Sequence, residues 1–302
     1  MRSESISEAR QILEHIRLGG RAIVFDPERK DFRQLLHYVP DALYLRAKED
    51  DFDPMITNSS LPDAFEWNKN FWSAIGASTG MGISTTVGVE ICEEMLKQGK
   101  RPTIPAVLRK IRSIKRGSFG VERNHIMSVE SRLVALSSEG GLGRITGCVS
   151  GYPMTELEKF PLIIFDISRL EENDAFLYTL MKLLQNFYWA REEGLGNGKP
   201  LLICIDESHF IYGKDRNSGT YMTLTPPQLD IVKRARKVNI KILLCTPNPS
   251  ALIPEIFNTS MLVVFRLDNY QDQKAVQSAL GLRDEELGIL SELPPRVAVA
   301  RI

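Results

Sequence analysis

The chain has 302 residues, 43% of them hydrophobic and 25% charged, which is enough apolar material for one large α/β core or two modest ones and excludes a disordered chain. Lysine plus arginine equals aspartate plus glutamate at 38 each, so a grip on nucleic acid has to come from local patches and not from an overall positive field. The four cysteines, Cys92, Cys148, Cys204 and Cys245, form no C-x-x-C pair and none lies near a histidine at ligand spacing; with no signal core and no apolar run of the ~18 residues that a membrane span needs, a reduced, cytoplasmic protein without a transmembrane segment is expected.

In chain order, Ile6, Ala9, Ile12, Leu13 and Ile16 fall at helical spacing and predict a helix over 5–18, stopped by Gly19-Gly20. A buried strand over 21–25 ends in Asp26-Pro27, and a second short strand is expected over 42–45 after a helical turn at 32–38. Residues 65–155 read as a mostly helical insertion, with helices over 84–98, one opened by Thr103 as a cap, and one over 128–137. Strand signals return at 161–167, followed by a long amphipathic helix with Phe176, Leu180, Leu184 and Phe187 on one side. Further strands are predicted at 200–205, 240–245, 261–265 and 297–300, with surface loops at 192–199 and 213–219. Continuous apolar runs separated by helices predict an α/β fold with a mostly parallel central sheet covered on both faces.

The sharpest chemical feature is the run Leu201-Leu-Ile-Cys-Ile-Asp206-Glu207, a buried strand that delivers two consecutive carboxylates to the carboxyl edge of the sheet, where open α/β folds bind ligands. It reads as a Walker B motif: Asp206 would hold the water shell of a Mg²⁺ ion and Glu207 would orient the attacking water. A strand that merely ends in two acids is the plainer alternative. Ser208 and His209 extend the pair to Asp-Glu-Ser-His, close to the Asp-Glu-Ala-His signature of many nucleic-acid-dependent ATPases; His209 is either a coupling residue or a strand-end hydrogen-bonding group. Downstream come Lys233-Arg234-Ala-Arg236-Lys237, a strand ending Cys245-Thr246-Pro247, and Val264-Phe265-Arg266-Leu267.

This order resembles the carboxyl-terminal half of the HerA/FtsK superfamily of P-loop ATPases, which includes the HerA resection motors and the conjugation coupling proteins. Arg21-Ala-Ile-Val-Phe-Asp26-Pro27 is similar to the family's second strand, Ile163-Ile-Phe-Asp-Ile-Ser-Arg-Leu170 to the strand before its long helix, and 272–282 followed by 290–294 to its closing segment. The resemblance implies a single RecA-like ATPase domain over 1–302, binding ATP and Mg²⁺, assembled as a ring (a hexamer) and acting on DNA, with a nuclease or secretion machine as a further partner. It implies catalytic roles for Asp206 and Glu207, arginine contacts from Arg236 and Arg266 to a neighbour's γ-phosphate, and nucleotide-edge positions for Asp26 and Thr246. Surface ion pairs for the arginines and helix capping for Asp26 are the alternatives.

The chain departs from the family pattern at two places. The Gly-rich phosphate loop ending in Gly-Lys-Ser/Thr is absent, and its place would be just upstream of Met1, so the domain is expected to be incomplete at its N-terminus. The segment Ala77-Ser-Thr-Gly-Met-Gly82-Ile83-Ser84 imitates the loop's spacing, but isoleucine stands where the lysine should be and a glycine-flexed turn explains it better. Pro247 stands where the family usually carries a γ-phosphate-sensing glutamine. Between Lys97 and Arg116 there are eight Lys or Arg and no Asp or Glu, with Val107, Leu108, Ile111 and Ile114 forming an apolar stripe. That arrangement leaves Arg109, Lys110, Arg112, Lys115 and Arg116 for DNA phosphates or, in the plainer view, for solvent. A DNA-translocating motor, a catalytically inactive ATPase-like scaffold and a secretion-system ATPase are the three functions this sequence admits.

Overall fold

The computed structural model describes residues 3–27, 32–46, 85–100, 102, 104–115, 123–124, 126–127, 129–131, 134, 157, 159–168, 191, 198–213, 232, 234–258 and 261–301. Helix α1 (Ser3–Arg17) leads into strand β1 (Arg21–Asp26), a 3-10 turn (Arg33–His37) and strand β2 (Leu43–Arg46). Helices α2 (Thr85–Lys97) and α3 (Ile104–Lys115) precede strands β3 (Leu162–Asp166) and β4 (Leu201–Ile205) and the one-turn helix α4 (His209–Tyr212). A 3-10 turn (Ala235–Val238) then enters strand β5 (Ile240–Leu244), and the chain closes with β6 (Leu262–Val264), α5 (Tyr270–Leu280), α6 (Ile289–Glu292) and β7 (Val299–Arg301).

Strands β1 to β5 form one sheet in the order β2-β3-β1-β4-β5, and every pairing is parallel. The three central strands are buried at every position, as their unbroken apolar runs require. Period-two alternation divides these runs between two cores. Ile23, Phe25, Ile163, Phe165, Leu201, Ile203 and Ile205 face one cluster, which takes in Ile91 and Met95 of α2, Val107 and Ile111 of α3, and the carboxyl-terminal segment. Ala22, Val24, Leu162, Ile164, Leu202 and Cys204 face the other, made with Ala9 and Ile12 of α1 and with Phe32, Leu35 and Val39. Phe25 and Phe165 stack with ring centroids 5.5 Å apart.

Helix α1 stops where the sequence says it should. Gly19 takes φ +87° and the Gly20 N–H reaches back to the His15 carbonyl, while a side chain at Gly20 would collide with the His15 ring. Two predicted strands differ from expectation. Residues 261–265 and 297–300 do not extend the parallel sheet; β6 and β7 pair antiparallel in a separate two-stranded sheet and are only partly buried. Three-residue strands are too short for their apolar pattern to distinguish a sheet covered on both faces from a half-exposed ribbon. The amphipathic run 176–188, the loop-like segment 77–84 and the tryptophans Trp67, Trp72 and Trp189 lie outside the described residues.

Arg21 opens β1 with a side chain only 1% exposed, and its guanidinium donates to the carbonyls of Phe160 and Leu157, at 2.8 and 2.6 Å. A charge so deeply buried is tolerated because those carbonyls accept its N–H hydrogen bonds, and they in turn would be orphaned without it. Arg21→Met should therefore lower the unfolding free energy by about 3 kcal/mol. Urea titration followed by circular dichroism reads this; an unchanged midpoint would rule out the bracing role.

Candidate functional site

The parallel register sets the site. Asp26 at the end of β1 lies beside Asp166 at the end of β3, and Phe25 beside Ile205, so Asp206 and Glu207 emerge next to Asp26 at the same carboxyl edge. Asp26 is fully buried, and Asp166 and Glu207 are nearly so. Asp166 is held by the Tyr44 hydroxyl and by the backbone N–H and hydroxyl of Ser168. Burial and the Asp166 contact together raise the Tyr44 hydroxyl to about 12. Asp206 accepts the Glu207 N–H at 2.9 Å.

The peptide turns sharply here. Glu207 has φ +48°, the left-handed region that costs a non-glycine residue on the order of 1 kcal/mol. The turn brings the Glu207 carboxylate to 3.2 Å from His209 Nδ1, near enough for charge pairing with a protonated ring although not aligned as a hydrogen bond. The same nitrogen lies 3.4 Å from Thr246 Oγ1, and Thr246 accepts the Asn248 N–H. Thr246 reaches this edge because the ladder runs on past β5: the Cys245 N–H donates to the Ile205 carbonyl and the Ser208 N–H to the Cys245 carbonyl. Asp26, Asp206, Glu207 and Thr246 thus lie along one edge of the sheet, with His209 between the last two.

The arginines do not converge with them. Arg236 precedes β5 and lies exposed at the opposite, amino edge of the sheet, about 17 Å of strand away. Arg266 follows β6, more than half exposed, and pairs with Asp268 at 2.8 Å. On α3 the basic residues are partly engaged: Lys110 pairs with Glu94 of α2 and Arg112 with Glu130, while Arg109 is exposed. Lys115 ends the helix, and Arg116 lies outside the described residues.

Sequence reasoning passed over Glu8. This carboxylate on the buried side of α1, only 6% exposed, is the charge that acts most strongly on Asp206. Its position four residues before Ile12 was the available signal. Burial, then repulsion by Glu8, Glu207 and Asp26, pushes the Asp206 carboxyl up to about 8, against the opposing Glu207 N–H bond. Oxygen donors crowded at like charge suit a hard divalent cation, so the residues present fit Mg²⁺.

The five-stranded parallel sheet in the order β2-β3-β1-β4-β5, covered on both faces, is a RecA-like α/β fold. No protein-family model matches the sequence, and no curated protein matches it. Among solved structures the chain is similar to VirB4 of Thermoanaerobacter pseudethanolicus, with a TM-score of 0.70 at 15% identity over 96% of this chain and 81% of that one. It is also similar to the bacterial conjugative coupling protein TrwBdeltaN70, with a TM-score of 0.60 at 13% identity, covering 94% and 76% of the two chains. TrwB in complex with ADP and Mg²⁺ matches with a TM-score of 0.50 at 11% identity over 95% and 82%. At such identities the likeness is one of fold.

Because the folded chain holds the Asp206 proton more tightly than the unfolded chain, folding takes up a proton between pH about 4 and about 8. The contribution of this group to stability therefore falls as pH rises through that window. Urea midpoints measured from pH 5 to 8 should decline, and Asp206→Asn should flatten the decline; superimposable wild-type and variant profiles would show that the carboxyl titrates normally.

Proposed function

We propose that this chain is the motor core of a HerA/FtsK-type ATPase, a RecA-like domain with a helical insertion over residues 65–155, which hydrolyses ATP with Mg²⁺ and couples turnover to the movement of DNA. The observation that carries this reading is the delivery of Asp206 and Glu207, by a wholly buried parallel strand, to the edge where Asp26 and Thr246 also end. The fold shared with VirB4 and TrwB supports it.

The division of labour follows from chemistry. Asp206, with Asp26 beside it, would hold the cation; when bound, Mg²⁺ neutralises charge on the phosphate oxygens. Glu207 accepts hydrogen-bonded water and takes its proton as the oxygen attacks the γ-phosphorus. His209 positions Glu207 and ties it to Thr246, so the state of the β5 edge reaches the base through one imidazole. The exposed arginines serve an adjacent subunit of a ring. Arg109, exposed on α3, would meet the DNA backbone together with Lys115 and Arg116.

An ATPase-like scaffold without turnover is the second reading, favoured by Pro247, which stands where the family pattern carries a γ-phosphate-sensing glutamine. A secretion motor is the third, favoured by the fold likeness to VirB4.

The 302-residue chain by itself should hydrolyse ATP negligibly, whereas the intact protein should turn over and be stimulated by DNA. In the intact protein, Glu207→Gln should lower kcat by about 100-fold or more while leaving nucleotide affinity near wild type. Turnover insensitive to this change would remove Glu207 from the chemistry; turnover indifferent to DNA would favour the secretion motor, and none at all the scaffold.

Reversing charge at Lys115 and Arg116 should weaken DNA binding by the intact protein and lower its salt slope by about two, one for each lost phosphate contact. Fluorescence anisotropy at several salt concentrations measures both. Unchanged affinity and slope would leave α3 as a solvated face.

A further inference from the structure

The face of the sheet that α1 covers carries one group of side chains that ATP chemistry does not use. Cys204 lies in β4, paired in register with Leu243 of β5; Cys245, two residues beyond Leu243, points to the same face one step along the ladder. Glu8 comes down onto them from α1. The ligand atoms of Glu8, Cys204 and Cys245 all lie within 4.8 Å of one another. Cys204 is wholly buried and Glu8 nearly so, in a layer otherwise made of Ala9, Ile12, Val24 and Ile164, while Cys245 is partly open to solvent.

Three features set this group apart from ordinary buried cysteines. Its donors come from three separate elements yet meet at one point. The donor set is two sulfurs and one carboxylate, the combination that selects a thiophilic cation over Mg²⁺ or Ca²⁺. Tetrahedral zinc with these ligands places donor atoms about 3.5–3.8 Å apart, so the observed cluster needs only about 1 Å of closure. Cys245 at the rim supplies the entry path.

We propose that Glu8, Cys204 and Cys245 form a binding site for a thiophilic divalent cation, zinc foremost, that cross-links α1 to β4 and β5 and leaves a fourth position for water or another ligand. Both thiols lose their protons to solvent as the metal enters, so two thiolates and one carboxylate balance against the dication with one net negative charge left on the site. The site is distinct in chemistry from the Asp206 edge but linked to it, because Cys204 stands two residues before Asp206 and Glu8 is the charge that presses most on it. Occupancy would fix the position of α1 beneath the Walker-type strand without taking part in hydrolysis. The proposal is independent of whether the protein turns over ATP.

The test uses the reduced, metal-free 302-residue chain. Titration of the metal-free chain with Cd²⁺ should give a thiolate-to-metal charge-transfer band that saturates at one equivalent, and a separate titration of the metal-free chain with Zn²⁺ should release two protons and raise the Tm. Cys204→Ser and Cys245→Ser should each lose the band, Glu8→Gln should keep it with affinity about tenfold lower or worse, and Cys92→Ser should change nothing. Because the serine variants could fold poorly, X-ray absorption on the unmodified zinc-loaded chain provides a second measurement, with a first shell of two sulfurs and the remainder oxygen expected. No stoichiometric binding, a band that survives in Cys204→Ser, a shell without sulfur, or a Cys204–Cys245 disulfide that persists under reducing conditions and blocks uptake would each overturn the proposal.

Discussion

Everything at the carboxyl edge hangs on the hydrogen-bonded ladder that joins β3, β1 and β4. Its register sets Asp26 beside Asp166 and Phe25 beside Ile205, and apolar side chains cover both of its faces. A slip of one residue would exchange the two faces of a strand, moving Phe25 out of its stack with Phe165 and into the layer under α1. The ladder can hold its register only because both cores agree on it. Polar groups are then admitted only where the strands end, which is why the acids gather there. Stability and the placement of the chemistry are one constraint.

That constraint leaves a local debt. Asp26, Asp206, Glu207 and Glu8 lie close together, and burial, reinforced by their mutual repulsion, keeps Asp206 protonated at higher pH than an ordinary aspartate. Carboxylates so placed suit a site that meets positive charge, whether from a cation at the Asp206 edge or from one held by the thiols under α1. In this sense the sheet is preorganised for ligands more than for its own electrostatics.

The parts of the structure legible in the sequence were those written as long local patterns. The runs at 21–26, 162–166, 201–205 and 240–244 are continuous and apolar, and they became β1, β3, β4 and β5. Asp26 and Asp206 could be placed because a strand end is a local feature. The β6–β7 ribbon was misassigned to the main sheet because three residues carry too little pattern to reveal their partner. Glu8 meeting Cys204 and Cys245 is a contact between distant stretches of chain, which no spacing rule encodes. The same holds for Lys110 and Arg112: the run 97–116 is free of acids, yet Glu94 and Glu130 come to it through the packing of other helical segments. Motif logic can nominate residues of a site, but packing decides which of the basic ones are already paired.

The left-handed backbone at Glu207 has a wider meaning. Glycine would occupy that conformation without strain, and asparagine would do so more easily than glutamate. The position is therefore one where drift toward a more comfortable residue would relax the turn while erasing the carboxylate. A lineage that no longer needed the carboxylate would be free to drift in that direction, so the identity of residue 207 among relatives is a record of whether the site has been kept at work, written in backbone strain.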